Sequence, residues 1–314
     1  MKKILIILVL VLIIILIIVI PKYLGEFSSA QKRISTYVVN RVNTPVAPIE
    51  YYRTGKGSPI LISHGITGGF DQGLGLANLY IGSGYDLTAV SRFGYVGSPL
   101  PEDSSPDAQA ETYRYLLDEL NIDKTFVFGN SAGGTSAIKF AMRYPDRCLG
   151  LILVSSNVPT NEAAMMPPKP LMKVVFGSDF IYWSFVKLMH DNMLSVVGVP
   201  KPMTGILSRQ KKDELINDIV MGGFPISLRT NGIINDMYVS NPDINNNYAF
   251  EQIKVPVLMI VAKDDPLSSY EGALTISKKI PNIEFISFEK GGHIILDHEA
   301  EIQRKIKAFI SSKD

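Results

Sequence analysis

Cysteine is all but missing from this chain. The single Cys148 cannot close an intrachain disulfide, and no zinc site built on paired thiolates is possible. Histidine is scarce as well. The four present, His64, His190, His293 and His298, never fall into the H-E-x-x-H spacing of a helical zinc site. Neither G-x-G-x-x-G nor a Walker pattern occurs, so dinucleotide and P-loop readings fail, and the expectation is no cofactor and no metal. Charge is sparse: 19% of residues are charged, and 31 Lys and Arg balance 30 Asp and Glu. That leaves no basic surplus to meet a nucleic acid. An apolar fraction of 46% excludes a disordered chain, and 314 residues are enough to bury a substantial core.

What the chain has in plenty, at its start, is aliphatic sequence. Lys2 and Lys3 precede an unbroken run from Ile4 to Ile20, ended by Pro21. As a helix these 17 residues measure about 25 Å, the short end of a bilayer span. The apolar core of a cleaved signal is usually about 7–15 residues. The nearest small-residue triplet, Ser28-Ser29-Ala30, lies well past the run. The expectation is a single-pass transmembrane anchor over 1–20, meeting the membrane through residues 4–20, with an extracytoplasmic globular domain. Residues 21–45 read as a juxtamembrane segment, where Ser28 or Ser29 caps a short helix and Thr44 to Pro48 breaks it.

Beyond that point short apolar runs alternate with amphipathic stretches. Strands are expected at Ile49 to Arg53, Pro59 to Ser63, Asp86 to Val90, Thr125 to Phe128, Cys148 to Val154, Val257 to Ala262 and Ile283 to Phe288. Helices are expected between them, one capped by Ser105 with Pro106 in its first turn. The last carries Ile302, Ile306, Phe309 and Ile310 at helical spacing. The pattern predicts an α/β fold: a mostly parallel, doubly wound sheet with helices on both faces. The rhythm breaks over 157–249, which holds the only tryptophan, Trp183, and eight of the eleven methionines. This stretch reads as a helical cap over an apolar pocket, inserted into a core of 46–156 and 250–314.

Ligands of such sheets bind at the carboxyl ends of the strands, and the polar motifs fall there. Gly129-Asn130-Ser131-Ala132-Gly133 follows an apolar strand and opens a helix, the context of a nucleophile elbow. A serine hydroxyl is a weak nucleophile unless a base lies within hydrogen-bond reach and a carboxylate orients that base. His293, in Gly291-Gly292-His293, follows the last strand and is the candidate base. Asp264 and Asp265 both end the strand at Val257 to Ala262. Asp265-Pro266 sets a turn there, which favours Asp265 and leaves Asp264 as a capping or supporting residue. The loop His64-Gly65-Ile66-Thr67-Gly68-Gly69 follows the first buried strand. An N–H near Ile66 and that of Ala132 are expected to form an oxyanion hole.

Taken together, SHGITGG at 63–69, SRFGYVGS at 91–98, GNSAGG at 129–134, AKDDPL at 262–267 and GGH at 291–293 resemble the α/β-hydrolase family. The resemblance covers roughly 50–156 and 250–312. It implies Ser131 as nucleophile, Asp265 as acid, His293 as base, oxyanion donors at Ile66 and Ala132, and a cap after the sixth strand. Ala262 stands where many members carry glycine. Ser131 disfavours the branches with an aspartate nucleophile. The expected activity is hydrolysis of a carboxylic ester, with a small and apolar ester as substrate partner. A C–C bond hydrolase, an amidase or peptidase, a haloperoxidase-like enzyme, or a non-catalytic binding protein on the same fold are the alternatives.

Overall fold

The computed structural model describes residues 3–4, 6, 10, 13, 15–160, 166–246 and 248–313. Its strands are β1 (Asn40–Asn43), β2 (Pro48–Gly55), β3 (Pro59–Ser63), β4 (Asp86–Val90), β5 (Thr125–Asn130), β6 (Cys148–Val154), β7 (Val257–Ala262) and β8 (Ile283–Phe288). They form one sheet in the order β1-β2-β4-β3-β5-β6-β7-β8. The pairs from β4 through β8 are parallel, while β2 runs antiparallel to both β1 and β4.

Strand side chains alternate between two faces. Leu61, Val127, Leu151 and Leu153 point into one apolar cluster, and Ile60, Ile62, Phe126, Phe128 and Ile152 into the other. Tyr113, Leu116 and Leu117 cover the first face, together with Ile138, Phe140 and Ile276. Phe70, Ile302, Ile306 and Phe309 cover the second. The central strands β3, β5, β6 and β7 are therefore buried on both faces, which explains why they read as apolar runs, whereas the edge strand β8 keeps Glu284 exposed.

Between β6 and β7 the chain makes a series of short helices, including Lys169–Gly177, Asp179–Leu188, His190–Val196, Arg209–Leu215 and Thr230–Asn235. Tyr182, Trp183, Val186, Met193, Ile216, Val220, Phe224 and Ile233 give this cap an apolar cluster of its own.

The amino-terminal region departs from the sequence expectation. Helix α1 runs from Ile20 to Ser35, and among the described residues no helix is long and apolar enough to cross a membrane. The expected transmembrane helix over 4–20 is thus overturned, and with it the single-pass membrane localisation and the membrane as a partner. Residues 5, 7–9, 11, 12 and 14 of that run lie outside the described residues. The physical reason is visible from Ile20 onward. Lys22, Glu26, Lys32 and Arg33 lie within α1, and its apolar side faces protein. Val19, Tyr23, Phe27 and Ala30, spaced as one helical stripe, pack into the cap cluster. Tyr23 meets the rings of Phe180 and Trp183 edge-on at 5.2 and 5.7 Å. Glu26 accepts the Trp183 indole N–H at 2.9 Å and pairs with Lys187 at 2.8 Å. Ser28 and Ser29 lie inside the helix rather than at its cap; Ser29 Oγ donates to the Gly25 carbonyl. After α1, β1 adds an edge strand with Val42 opposite Ile49.

Candidate active site

Ser131 stands at the turn between β5 and helix α2 (Gly134–Arg143), preceded by a single 3-10 turn over Ser131–Gly133. Its φ of +49° is in the left-handed region that a serine adopts only under constraint. The constraint is the close approach of backbone on both sides. A Cβ on Gly133 would collide with the Ser63 and His64 carbonyls, and one on Gly134 with Ser156 Oγ. A Cβ on Gly129 would lie 2.8 Å from that of Ala137. The small residues of GNSAGG are therefore required by packing, and they hold the hydroxyl clear of the sheet.

The aspartate and histidine reach Ser131 from the loops after β7 and β8, two and three strands along the sheet from β5. Ser131 Oγ lies 2.9 Å from His293 Nε2, and His293 Nδ1 lies 2.8 Å from Asp265 Oδ2. A carboxylate only accepts, so Nδ1 carries the proton and the Nε2 lone pair faces the serine hydroxyl. The Asp265 side chain is 1% exposed. Its other oxygen accepts the N–H groups of Leu267 and Ser268 at 2.8 and 3.0 Å, which locks the carboxylate plane. Asp264 does something different: its Oδ1 accepts the Gly292 N–H at 2.8 Å. The next amide, that of His293, donates to the Gly198 carbonyl of the cap at 2.9 Å. The histidine loop is thus pinned once from the core and once from the cap.

The loop after β3 lies against the serine. A Cβ on Gly65 would stand 3.3 Å from Ser131 Cβ. The Gly65 carbonyl accepts from His64 Nδ1 at 2.7 Å and from the Arg92 guanidinium at 3.3 Å. In a trans peptide the C=O and the following N–H point opposite ways. Fixing the Gly65 carbonyl on His64 and Arg92 therefore turns the Ile66 N–H away from them. Among the described residues, neither the Ile66 nor the Ala132 N–H donates to a protein acceptor. His64 itself is fully buried and uses its second nitrogen to accept the Arg92 backbone N–H at 3.1 Å. Burial, reinforced by the Arg92 charge, pushes its pKa well below the ordinary histidine range. His190 sits between Asp191 and Asp213 in the cap, and His298 stacks on Phe288. Neither approaches the serine pair.

Sequence reasoning singles out Ser131, Asp265, His293, Ile66 and Ala132. The structure brings the first three into one hydrogen-bonded row, with Ala132 next to the serine and Ile66 on the adjoining loop. Sequence reasoning misses the supports. Arg92 donates to both Asp236 oxygens at 2.7 and 2.5 Å, and Tyr95 donates to the same carboxylate. Arg92 lies inside SRFGYVGS, which offers a signal. Asp236 and Gly198 lie in the cap, and nothing local marks them.

The fold and this row together describe a hydrolase of the α/β class. The profile of the α/β-hydrolase fold family matches residues 58–300, and the chain belongs to that family. Among its curated relatives is a 2-hydroxy-6-oxononadienedioate/2-hydroxy-6-oxononatrienedioate hydrolase of Paraburkholderia phymatum, 28% identical over 78% of this chain and 84% of that protein. Lipase 1 of Psychrobacter immobilis is 24% identical over 82% of this chain and 79% of its own length. Among solved structures, an α/β-hydrolase fold protein from Nakamurella multipartita superposes with a TM-score of 0.65. It covers 86% of this chain and 98% of that one at 24% identity, a likeness of fold. The chain is accordingly an enzyme, a hydrolase.

Proposed function

We propose that the enzyme is a serine hydrolase that cleaves a carboxylic ester with apolar parts through an acyl-enzyme on Ser131. The observation that carries this reading is the row Ser131–His293–Asp265, at 2.9 and 2.8 Å. In this reading 46–156 and 250–314 form the catalytic core and 157–249 the cap. Ser131 Oγ attacks the ester carbonyl while His293 Nε2 takes its proton. The carbonyl oxygen becomes an oxyanion between the Ile66 and Ala132 N–H groups. Collapse breaks the C–O bond, and His293 returns the proton to the leaving alcohol. Water, deprotonated by His293, then frees the acid. Apolar substrate groups are supported by the surroundings: Ile66 and Ile294 share one apolar cluster with Val199, Met221 and Phe224 of the cap.

A C–C hydrolase on the same row is the second reading, favoured by the relative from Paraburkholderia. The substrate in that relative's name is a dianion, which calls for free cations at the site. Among the described residues the buried cations Arg92, Lys139 and Arg229 each face a carboxylate, Asp236, Asp107 and Asp71. That neutralisation supports the ester reading. The test is pre-steady-state hydrolysis of p-nitrophenyl esters of graded chain length, beside a dienedioate substrate. Wild-type protein is expected to give a burst of nitrophenol. Ser131→Ala is expected to lose it, with turnover down on the order of 10⁶-fold. Full esterase activity in purified Ser131→Ala would sink the serine mechanism. Turnover of the dienedioate alone would replace the ester reading by the C–C one.

A further inference from the structure

Helix α1 precedes the family-matched residues 58–300, so its role is not inherited from the fold. One side chain on it reaches, from outside the core, the segments that flank the loop 64–69. The Arg33 guanidinium makes three hydrogen bonds: to Asp71 Oδ2 at 3.1 Å, to the Gly222 carbonyl at 2.7 Å and to the Phe224 carbonyl at 2.8 Å. Asp71 and the Gly222–Phe224 turn both abut the loop 64–69. Gly223, held between the two bonded carbonyls, is pressed so close to the loop that a Cβ there would lie 2.9 Å from the Thr67 carbonyl oxygen. Asp71 is the second residue of the helical segment Phe70–Leu76 that follows the loop, and Gln72 beside it donates its side-chain amide to the Ile66 carbonyl at 3.3 Å. Thr67, at φ +63°, is in the left-handed region, so the loop conformation needs outside support.

We infer that Arg33 is a positioning residue for the oxyanion loop, acting from the amino-terminal helix through Asp71 and the Gly222–Phe224 turn. The inference rests on the serine-hydrolase reading and deepens it. The guanidinium is the only group type that serves here: a planar fork can hold a carboxylate and two carbonyls at once, and a lysine ammonium lacks that spread. Asp71 keeps its second partner, Arg229 at 2.6 Å, when Arg33 is removed. No buried carboxylate is orphaned, and the variant is expected to keep its fold.

The test is the rate at which a fluorophosphonate labels Ser131 in full-length wild type, Arg33→Ala, Arg33→Lys and the exposed control Lys32→Ala. In that reaction Ser131 Oγ bonds to phosphorus, fluoride leaves, and His293 takes the hydroxyl proton. The phosphonyl oxygen occupies the oxyanion position, so the rate reads the loop whichever bond the enzyme cleaves in its own substrate. Arg33→Ala is expected to label about tenfold more slowly, less than the ~10²–10³ of losing a donor outright. Its kcat on p-nitrophenyl acetate falls in step while KM stays within about twofold, the pattern of an interaction made in the transition state. Arg33→Lys falls between, and Lys32→Ala matches wild type. A wild-type labelling rate in Arg33→Ala overturns the inference even if its Tm drops, and so does an equal loss in Lys32→Ala. Wild-type protein that labels yet hydrolyses no ester refutes the ester reading and leaves the Arg33 comparison intact. Wild-type protein that does not label overturns both.

Discussion

Asp264 and Asp265 are neighbours in sequence, yet their oxygens serve different ends. Asp265 orients the His293 ring, and its second oxygen is held by two backbone amides. Asp264 holds only the backbone at Gly292. Asp265→Asn presents an amide where the imidazole N–H must donate, favouring the wrong tautomer. Its kcat is expected to fall on the order of 10⁴-fold. Asp264→Asn keeps a carbonyl oxygen to accept the Gly292 N–H, so its kcat is expected to stay within about tenfold of wild type. Steady-state kinetics on one ester decides the pair, and the reverse ranking would exchange their roles. The preference for Asp265 is legible in sequence through Asp265-Pro266, a turn that carries the first carboxylate past the strand end. For Asp264 the sequence marks only a capping or supporting role; that it holds the Gly292 amide is decided by the tertiary structure.

Among the elements, the strands are the most legible. The bounds of β3, β4, β6, β7 and β8 coincide with the expected runs, most cleanly in β6 and β7, whose buried stretches hold no charged residue to blur the ends. Helix α1 is the least legible. Its stripe of Val19, Tyr23, Phe27 and Ala30 has helical spacing, but the aliphatic run before it is apolar on every side and hides the change of character. The sequence pattern makes the cap's tryptophan a pocket residue. In the structure Trp183 is engaged by α1, through Tyr23 and Glu26. If α1 is docked as described, Phe27→Ala removes a half-buried ring from the cap and is expected to destabilise by about 1–2 kcal/mol, part of the ~3–5 of a fully buried phenylalanine. Leu24, 54% exposed on the other side of the helix, gives a control: Leu24→Ala is expected to stay within about 0.5 kcal/mol. Urea midpoints measure both. Equal effects would mean that α1 does not rest on the cap.

At the scale of the whole molecule, cap and core meet at a buried polar joint. Arg92 binds cap residue Asp236 with its guanidinium and the His64 and Gly65 carbonyls from the same side chain. His64 completes the joint as a neutral ring, donating from one nitrogen and accepting at the other. Protonation would put a second donor opposite the Arg92 N–H, beside a fixed positive charge. Stability should therefore depend on pH with a definite sign. The unfolded chain's imidazole takes up a proton as pH falls through about 6.5, while the folded ring resists until well below that. The unfolded state then holds more protons, so the His64 contribution is complete above about pH 6.5 and is lost as pH falls, at up to about 1.4 kcal/mol per pH unit. Denaturant unfolding at about pH 8 and about pH 5 is expected to show this loss, and His64→Asn, which keeps a donor towards Gly65 but does not titrate, is expected to flatten it. An unchanged slope in His64→Asn would assign the acid sensitivity elsewhere.

By itself the sequence determined seven of the eight strands, the alternation of strand and helix and the sharp turn at Ser131, and it singled out His293; the edge strand β1 it left unmarked. Each of the marked features is written in residues within a few positions of one another, as apolar period or glycine spacing. Only the tertiary structure decided what α1 does, where Trp183 packs, and which groups hold the active-site loops. Arg33 meets carbonyls 189 and 191 residues further along the chain, and Arg92 meets a carboxylate 144 residues away. Such contacts depend on how the chain folds back, and local pattern carries no record of the partner. The same holds for the overturned membrane span. An aliphatic run has the same composition whether lipid or protein covers the residues next to it, and in α1 it is the cap, with Tyr23 and Phe27 packed against it, that supplies the cover.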